Sequence, residues 1–283
     1  MAGLSSERPT RVPHVIPYQG SKRLLAPAIL GVLREQLAGQ RVRRLYEPFA
    51  GSAALTLAAA HANLADAFVL ADSYAPLVAL WQQIIDAPQP LADAYRQEWQ
   101  GGDYDAVRLA FHRDPTPERL LYLLTRCVKA AVRFNRQGQF NQAADKRRRG
   151  TQPDRVMQLT HAAAALLRGR TLLRAGDALT TTGDAGPGDV AYLDPPWHGT
   201  TVGRDIRYHA GYPHSELLAL IEALHARQVR VLLSYDGKRG GQDFAQPLPD
   251  SLVRLDLPAM RSAQATLLGR VEWTTESLYV TRQ

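Results

Sequence analysis

The chain has 283 residues, of which 45% are hydrophobic, and no apolar run approaches the roughly 20 residues that a membrane helix needs. A membrane protein is therefore not expected. The single cysteine rules out a disulfide framework, and the segment from Met1 to Pro17 lacks the apolar stretch of a secretion signal. Together these two features predict a cytoplasmic location. A net charge of +7 at pH 7 fits a polyanionic partner, because phosphate contacts supply most of the affinity of proteins for nucleic acids.

The first patterned segment is a short polar loop followed by a predicted helix. Tyr18 begins the loop, Gly20 permits close backbone approach, and apolar residues then recur at helical spacing from Leu24 to Leu37. Lys22 falls in the first turn of this helix, where the helix dipole disfavours a cation. The carboxylate of a bound ligand would stabilise the Lys22 ammonium at this position. The alternative is that Lys22 faces solvent and binds nothing.

A strand, a glycine turn and a helix come next. The predicted strand covers Val42–Glu47, the turn contains Gly51, and a helix of small residues runs over Ala54–Ala60. No Gly-Lys-Ser/Thr follows the turn, so it is not a P-loop, and the ligand it predicts is a nucleoside rather than a triphosphate. A second strand, Ala67–Ala71, ends at Asp72, where an acid commonly binds ribose hydroxyls.

The segment from Tyr74 to about Val132 is mostly helical by pattern, and Cys127 lies in its apolar part, which predicts a packed, inert thiol. It ends in a run of amides and arginines, Arg133–Asn141, followed by the basic run Lys146–Arg149. Such side chains have the donors needed to read base edges and contact phosphates, although a solvated loop explains the basic run equally well.

The last third of the chain contains its most unusual sequence motif. After a helix over Asp154–Leu167 and a strand over Thr171–Arg174, which leads to Asp177, the buried strand Val190–Leu193 ends in Asp-Pro-Pro-Trp at 194–197. A carboxylate, a free carbonyl and an indole together suit a planar ring with an amino group, such as a flipped adenine or cytosine. A plain strand end followed by a turn is the alternative.

The remaining pattern is a polar loop over His198–His214, a helix over Leu217–Leu224 and strands over Val229–Ser234, Leu252–Leu257 and Ser277–Thr281. The loop histidines lack the spacing of a zinc site, so no metal is expected.

Five segments, taken in chain order, resemble the motifs of the Dam-type (class alpha) N6-adenine-specific DNA methyltransferases; they are Tyr18–Lys22, Glu47–Ser52, Asp72, Phe134–Asn141 and Asp194–Trp197. The resemblance implies an α/β fold, a Rossmann-like S-adenosylmethionine-dependent methyltransferase sheet with a helical target-recognition insertion. It divides the chain into a first catalytic part that binds the donor (1–86), a mainly helical insertion (87–153) and a second catalytic part with the tetrapeptide (154–283).

The implied activity is transfer of a methyl group from S-adenosylmethionine to the exocyclic N6 amine of a flipped adenine in double-stranded DNA, as in restriction-modification, by a monomer without a metal. The catalytic residues are then Asp194, Pro195, Pro196 and Trp197, the last standing where the family usually has tyrosine. The implied donor-binding residues are Tyr18, Gly20, Lys22, Glu47, Pro48, Phe49, Ala50, Gly51, Ser52, Asp72 and Asp177. The implied DNA-binding residues are Arg133, Asn135, Arg136, Gln139, Asn141, Lys146, Arg147, Arg148 and Tyr208.

Two other functions are compatible with the same motifs. RNA N6-adenine methyltransferases share the tetrapeptide but resemble a permuted order, with the tetrapeptide before the donor-binding half, whereas here Gly51 precedes Asp194. A catalytically inactive, DNA-binding subunit with a methylase fold is the second alternative, and the presence of Lys22, Gly51, Asp72 and Asp194 argues against it.

Overall fold

The structure is a computed structural model that describes residues 11–135, 137–196, 212–239, 242–243, 245–257, 260–261 and 273–282. Three of the predicted site residues, Arg136, Trp197 and Tyr208, lie outside these ranges.

The predicted helices and strands are present in the predicted order. The α-helices are α1 (Ala26–Leu37), α2 (Ala54–His61), α3 (Ala75–Asp86), α4 (Pro88–Gly101), α5 (Tyr104–Arg113), α6 (Pro117–Arg126), α7 (Pro153–Leu167), α8 (Ala178–Thr181) and α9 (His214–Ala226). The strands are β1 (Val42–Glu47), β2 (Ala65–Asp72), β3 (Thr171–Ala175), β4 (Val190–Leu193), β5 (Arg230–Arg239), β6 (Gln242–Asp243), β7 (Leu252–Asp256), β8 (Met260–Arg261) and β9 (Trp273–Thr281). Short 3₁₀ turns cover Lys22–Leu24 and Val128–Ala130. The elements α8, β6 and β8 were not predicted, β5 extends about five residues beyond its predicted end, and β9 begins about four residues before its predicted start.

One sheet organises the molecule, in the order β3-β2-β1-β4-β5-β9-β7. The first five strands of this order are parallel, and β9 pairs antiparallel with both β5 and β7. The chain moves outward from β1 through β2 to β3 and then returns to the other side of β1 with β4. The strand order therefore reverses between β1 and β4, which is where open α/β sheets bind their ligands, outside the carboxyl ends of the strands.

Helices cover both faces of the sheet, so its central strands are apolar on both sides. Adjacent residues of β1 enter different cores: Leu45 packs with α1, α2, α3 and α7, and Tyr46 packs with α8 and α9. All four residues of β4 are buried. This confirms the predicted α/β fold with a parallel central sheet.

The predicted insertion shares its core with the sheet. Helix α4 packs against α7 and α3, and α6 packs against α3 and α4; their apolar side chains, such as Leu91 and Leu121, belong to the same buried cluster as Ile29 of α1. The division into 1–86, 87–153 and 154–283 stays a prediction. No helix in the described ranges is long and apolar enough to cross a membrane.

Two local patterns were misjudged from the sequence. The apolar stripe predicted to stay helical toward Val132 leaves the helix at Arg126, because Cys127 is extended and both Lys129 and Ala130 are left-handed, with φ of 59° and 50°. Leu24, counted in the apolar face of the first helix, is 72% exposed, since it belongs to the 3₁₀ turn before α1. Cys127 itself is buried as predicted, and burial raises the pKa of its thiol to about 12.

Candidate active site

Four acids meet at one edge of the sheet because they follow the carboxyl ends of parallel strands. Glu47 ends β1, Asp72 ends β2, Asp177 follows β3 and Asp194 follows β4. The edge includes the switch point between β1 and β4. The acids predicted from separate segments of the sequence thus occupy a common rim.

Glu47 is the buried member of these four acids, and it caps a helix. Its side chain is buried, and its Oε2 accepts a hydrogen bond of 3.0 Å from the backbone N–H of Thr56, in the first turn of α2. The residue at the N-cap position, Ala53, offers no side-chain acceptor, so Glu47 supplies it from the strand. Burial raises the pKa of Glu47 to about 7, against the hydrogen bonds from Thr56.

The glycine turn after β1 is held from three directions. Gly51 has a φ of 47°, and a Cβ placed there would lie 3.2 Å from two ring carbons of Tyr18. Its carbonyl accepts a hydrogen bond of 3.0 Å from the indole N–H of buried Trp81, and its N–H donates to Asp72 Oδ2 at 3.1 Å. Glycine is required here both by the backbone conformation and by the close tyrosine ring.

The turn is also joined to the loop that begins at Tyr18. The hydroxyl of Ser52 donates to the hydroxyl of Ser21 over 2.7 Å, and Ala50 N–H donates to the carbonyl of Ala71 on β2. Pro48 is buried beside them. The two predicted donor-binding segments, Tyr18–Lys22 and Glu47–Ser52, therefore form one contiguous structure.

Asp72 ends β2 with its carboxylate turned toward the glycine turn, and it accepts two backbone hydrogen bonds. Oδ2 accepts from Gly51, and Oδ1 accepts from Tyr74 N–H at 2.9 Å. These bonds fix the orientation of the carboxylate at the carboxyl end of β2.

Asp177 lies next to an aromatic pair. The rings of Phe49 and Tyr212 meet edge to face with centroids 4.9 Å apart, and both side chains are half-buried. Burial raises the pKa of Tyr212 to about 12, with smaller contributions from the carboxylates of Glu216 and Asp177. Asp177 is exposed and caps α8 by accepting from Thr180 N–H, a bond that lowers its pKa.

Tyr212 was missed in the sequence, where it sits in the polar loop before α9 without any helical or strand pattern. Its only signal was its position directly before Pro213, at the start of a helix.

The Lys22 side chain joins the first loop to the tetrapeptide. Its Nζ lies 2.8 Å from Asp194 Oδ1, and it also donates to the carbonyl of Gly20 at 3.2 Å. Lys22 is only 9% exposed, so the solvent-facing alternative is wrong. It also lies in the 3₁₀ turn that precedes α1, outside the first turn of the helix.

Asp194 is a largely buried acid with a perturbed pKa. Burial raises the pKa of its carboxyl group to about 6, while the Lys22 ammonium acts in the opposite direction. The chain then leaves the sheet through Pro195, which is buried, and Pro196, which is half-buried. Because prolines have no N–H, they end the strand as predicted.

The predicted base-reading segment is a hairpin whose turn is built by its own side chains. Asn135 Oδ1 accepts from the backbone N–H of Gln137 and of Gln139, and Asn135 Nδ2 donates to Gln139 Oε1. Asn141 N–H donates to the carbonyl of Arg133, and the exposed Asn141 side chain lies on the outer surface. Two of the four described candidates in this segment, Asn135 and Gln139, thus also shape the turn.

The hairpin reaches the predicted donor-binding half through a ring contact. Phe134 meets Tyr74 edge to face at 5.1 Å, and Tyr74 N–H is one of the two donors to Asp72.

The basic run is organised around one buried acid. Asp145 pairs with Arg147 at 3.1 Å and with Arg148 at 3.4 Å, and the hydrogen bond from Arg147 lowers the Asp145 pKa. Both arginine side chains stay largely exposed, at 76% and 65%, and Lys146 is exposed beside them.

An open, basic cleft of about 1140 Å³ separates the Tyr18 loop from the insertion. The segments 14–21, 124–130 and 148–151 supply most of its lining, and its cationic residues include Arg23, Lys129, Arg148 and Arg149. The two sides are tied together where Gln19 N–H donates to the carbonyl of Ala130. That carbonyl belongs to the left-handed pair Lys129–Ala130, so the insertion holds an unfavourable backbone conformation where it meets the loop.

Metal ligation has no obvious location in the part of the chain that the structure describes. No group of three or more His, Cys, Asp or Glu side chains comes together there in a way that could hold an ion. Independence from metals stays a prediction, as do the monomeric state and the cytoplasmic location.

Comparison with known proteins places these features in a family. A family model described as "D12 class N6 adenine-specific DNA methyltransferase" matches residues 18–262. A protein of Escherichia phage P1, described as "DNA N-6-adenine-methyltransferase", is 27% identical over 210 residues, which are 69% of this chain and 27% of the relative. The chain thus spans about a quarter of the length of that relative. A solved structure described as "Putative methyltransferase yhhF" from Escherichia coli is 12% identical, with a TM-score of 0.39 over 94% of this chain and 90% of that one.

Proposed function

Because the chain belongs to the family of D12 class N6 adenine-specific DNA methyltransferases, we propose that it transfers a methyl group from S-adenosylmethionine to the N6 amine of adenine in double-stranded DNA. The observation that supports this proposal most directly is the Lys22–Asp194 pair. It joins the donor-side loop to the catalytic tetrapeptide across 172 residues of sequence.

The donor site we propose is the carboxyl edge of β1, β2 and β3. Phe49 and Tyr212 offer ring surface for an adenine, with the exposed Asp177 carboxylate available to its amine, and Asp72, oriented by Gly51 and Tyr74 at the end of β2, is the proposed ligand of the ribose hydroxyls. The methionine end of the donor would lie over the Gly51 turn, against Tyr18 and Gly20. Because Gly20 and Gly51 have no Cβ, the donor could approach their backbone closely. When bound, S-adenosylmethionine supplies a methyl group activated by a sulfonium centre.

Asp194 and the carbonyl of Pro195 are the proposed acceptors for the two hydrogens of the adenine amine. The lone pair of that amine is delocalised into the ring, so a site that accepts both hydrogens favours the pyramidal nitrogen that attacks. A carboxylate also stabilises the positive charge that develops on the nitrogen. Pro196 keeps the segment extended, and we assign stacking on the flipped base to Trp197.

No strong general base is required by this scheme, since the amine loses its proton after the new bond has formed. Holding the amine in line with the methyl group supplies much of the remaining rate enhancement.

DNA is proposed to bind along the insertion. The hairpin with Arg133, Asn135, Gln139 and Asn141 has the amide and guanidinium groups that read base edges, and we place Arg136 and Tyr208 with them. The basic run, Lys146, Arg147 and Arg148, would contact phosphates. The cleft extends this basic surface to Arg23 and Lys129, which supports a phosphate path leading toward the Tyr18 loop.

The direct test incubates the protein with methyl-labelled S-adenosylmethionine and, in parallel, with double-stranded DNA and RNA of mixed sequence. Label is expected as N6-methyladenine in DNA. Asp194→Ala should abolish transfer while donor affinity, measured by calorimetric titration, stays close to that of the wild type. As a matched control, Asp250→Ala removes an exposed acid before β7, at the opposite edge of the sheet, and should keep full activity.

Each contrary result identifies a different function. Label in RNA alone would support the RNA methyltransferase alternative, and DNA binding without any transfer would support the inactive subunit. Equal activity of Asp194→Ala would remove Asp194 from the mechanism. Long-read sequencing of DNA from cells that express the protein would then give the methylated base and its sequence context.

A further inference from the structure

A second carboxylate, which none of the recognised motifs assigns to the site, faces the same lysine as Asp194. Glu276 Oε1 lies 3.2 Å from Lys22 Nζ, which is 2.8 Å from Asp194 Oδ1. All three side chains are largely buried, with exposed fractions of 10% for Lys22, 19% for Asp194 and 13% for Glu276. The Lys22 ammonium is therefore shared between two acids that are far apart in the sequence. Asp194 follows β4, and Glu276 lies on β9.

The sheet is irregular where Glu276 of β9 pairs with β5. Ser234 of β5 pairs with Leu278 of β9, but the next pair is Gly237 with Glu276, so β5 carries an extra residue there. Such bulges re-aim side chains near active sites. The carbonyl of Glu276 also accepts a hydrogen bond of 2.9 Å from Leu257 N–H, which fixes this part of β9 from the side of β7.

The shared lysine creates an electrostatic problem that Glu276 resolves. During transfer the lone pair on N6 forms the new C–N bond, the electrons of the C–S bond pass to the donor sulfur, and nitrogen carries a positive charge until its proton leaves to water. Asp194 paired with Lys22 alone is neutral, and a neutral pair stabilises that charge weakly. With Glu276 included, the three groups carry a net charge of −1.

We propose that Glu276 is a positioning residue for methyl transfer: it holds the Lys22 ammonium beside Asp194 and offsets its charge, so that the site stays negative when N6 becomes cationic. This inference rests on the proposed function, because it assumes an amine that gains charge next to Asp194.

The other ionisable groups near Asp194 do not substitute for Glu276. Tyr192 is fully buried, its hydroxyl bonds to Ser234 at 2.8 Å, and burial raises its pKa well above the usual value, so it stays neutral. Glu47 is occupied with the amide of Thr56. The pKa of Asp194 responds to Glu276 as well: after burial and Lys22, the Glu276 carboxylate is the next influence, and it raises that pKa.

The test compares Glu276→Gln and Glu276→Asp with the wild type. Glu276→Gln keeps the size and removes the charge, so kcat should fall by about tenfold or more while KM for the donor changes little. The acid limb of its pH profile should move to lower pH. Glu276→Asp keeps the charge and should recover part of the lost kcat; a wild-type kcat in Glu276→Gln would overturn the proposal.

A double variant separates charge balance from structural support. Adding Lys22→Gln to Glu276→Gln leaves Asp194 as the single charge and restores −1, so at saturating donor the double variant should have a higher kcat than Glu276→Gln alone. If its kcat is equal or lower, charge balance is not the role of Glu276.

The proposed function and this inference can fail separately. An NMR titration of the Asp194 carboxyl carbon, assigned with Asp194→Asn, follows its pKa without turnover. The pKa should be lower in Glu276→Gln than in the wild type even if no methyl transfer is detected. An unchanged pKa would overturn the coupling between Glu276 and Asp194, whatever the outcome of the activity assays.

Discussion

Asp194 can accept hydrogen bonds from an amine and stabilise a cation only as a carboxylate. Burial raises its pKa to about 6, so the carboxylate predominates above that pH and is lost as the pH falls through it. We expect kcat to be constant from pH 7 to 8 and to fall about tenfold for each further pH unit well below 6. A pH profile of methyl transfer at saturating donor and DNA measures this directly.

Glu47 is the other acid whose protonation could cause the fall of kcat at low pH, the acid limb of the pH profile, because burial raises its pKa to about 7. Glu47→Gln keeps an oxygen for the amide of Thr56 and removes the titration. The limb near pH 6 should therefore persist in Glu47→Gln. Its disappearance there would assign the limb to Glu47 and contradict the role of Asp194.

The acids themselves could be predicted from the sequence, since each follows an apolar strand and parallel strands bring their carboxyl ends together. Their partners could not. Lys22 meets Asp194 and Glu276 only because a loop before α1, the end of β4 and the part of β9 opposite the bulge in β5 converge. Trp81 gave no signal beyond an apolar position on a helix, although its N–H holds the carbonyl of Gly51.

At the scale of elements, the turn between β1 and α2 depends on the absence of a side chain at Gly51. Gly51→Ala would place a Cβ in a left-handed conformation, at a cost of about 1–2 kcal/mol, and 3.2 Å from the Tyr18 ring. The ring must shift, and it lines the proposed donor site. We expect donor affinity to fall by about tenfold or more, measured by calorimetric titration with S-adenosylmethionine.

Gly39→Ala is the matched control, because Gly39 is also left-handed, with a φ of 87°, but a Cβ placed there would have no atom within 4 Å. It follows α1, away from the carboxyl edge of the sheet. It should lower the midpoint of thermal unfolding without changing donor affinity. Equal losses of affinity in the two variants would mean that the Tyr18 contact is irrelevant.

Elements with a strong period were predicted nearly to their ends, as for β1, α2 and β4. The segment after α6 was not, because its apolar residues keep a helical spacing while the backbone turns away. Cys127 bridges to Ala144 and Phe134 to Phe140, so Cys127 and Phe140 are buried in antiparallel pairs and not on a helix. The long-range pairing overrides the local pattern.

At the scale of the molecule, the predicted insertion continues the core of the sheet and connects the proposed DNA-binding surface with the proposed donor site. Phe134 contacts Tyr74 at the end of β2, and the carbonyl of Ala130 accepts from Gln19 in the Tyr18 loop. The family and the parallel sheet follow from the motifs and the strand pattern. The shared core does not, because it depends on how α4 packs against α7 and how α6 packs against α3.

The basic cleft gives this arrangement a measurable consequence. Lys129 and Arg149 lie on two segments of its lining, both exposed, and each phosphate contact contributes about 0.9 to the slope of log affinity against log salt. The double variant Lys129→Gln, Arg149→Gln should bind double-stranded DNA more weakly and reduce that slope by nearly 2. Fluorescence anisotropy over a range of salt concentrations measures both. Arg34→Gln removes an exposed arginine from the last turn of α1, toward the amino edge of the sheet, and should leave the slope unchanged. If the double variant has the same slope as Arg34→Gln, the phosphates do not follow the cleft. The DNA path must then be sought along Lys146 and Arg147 alone.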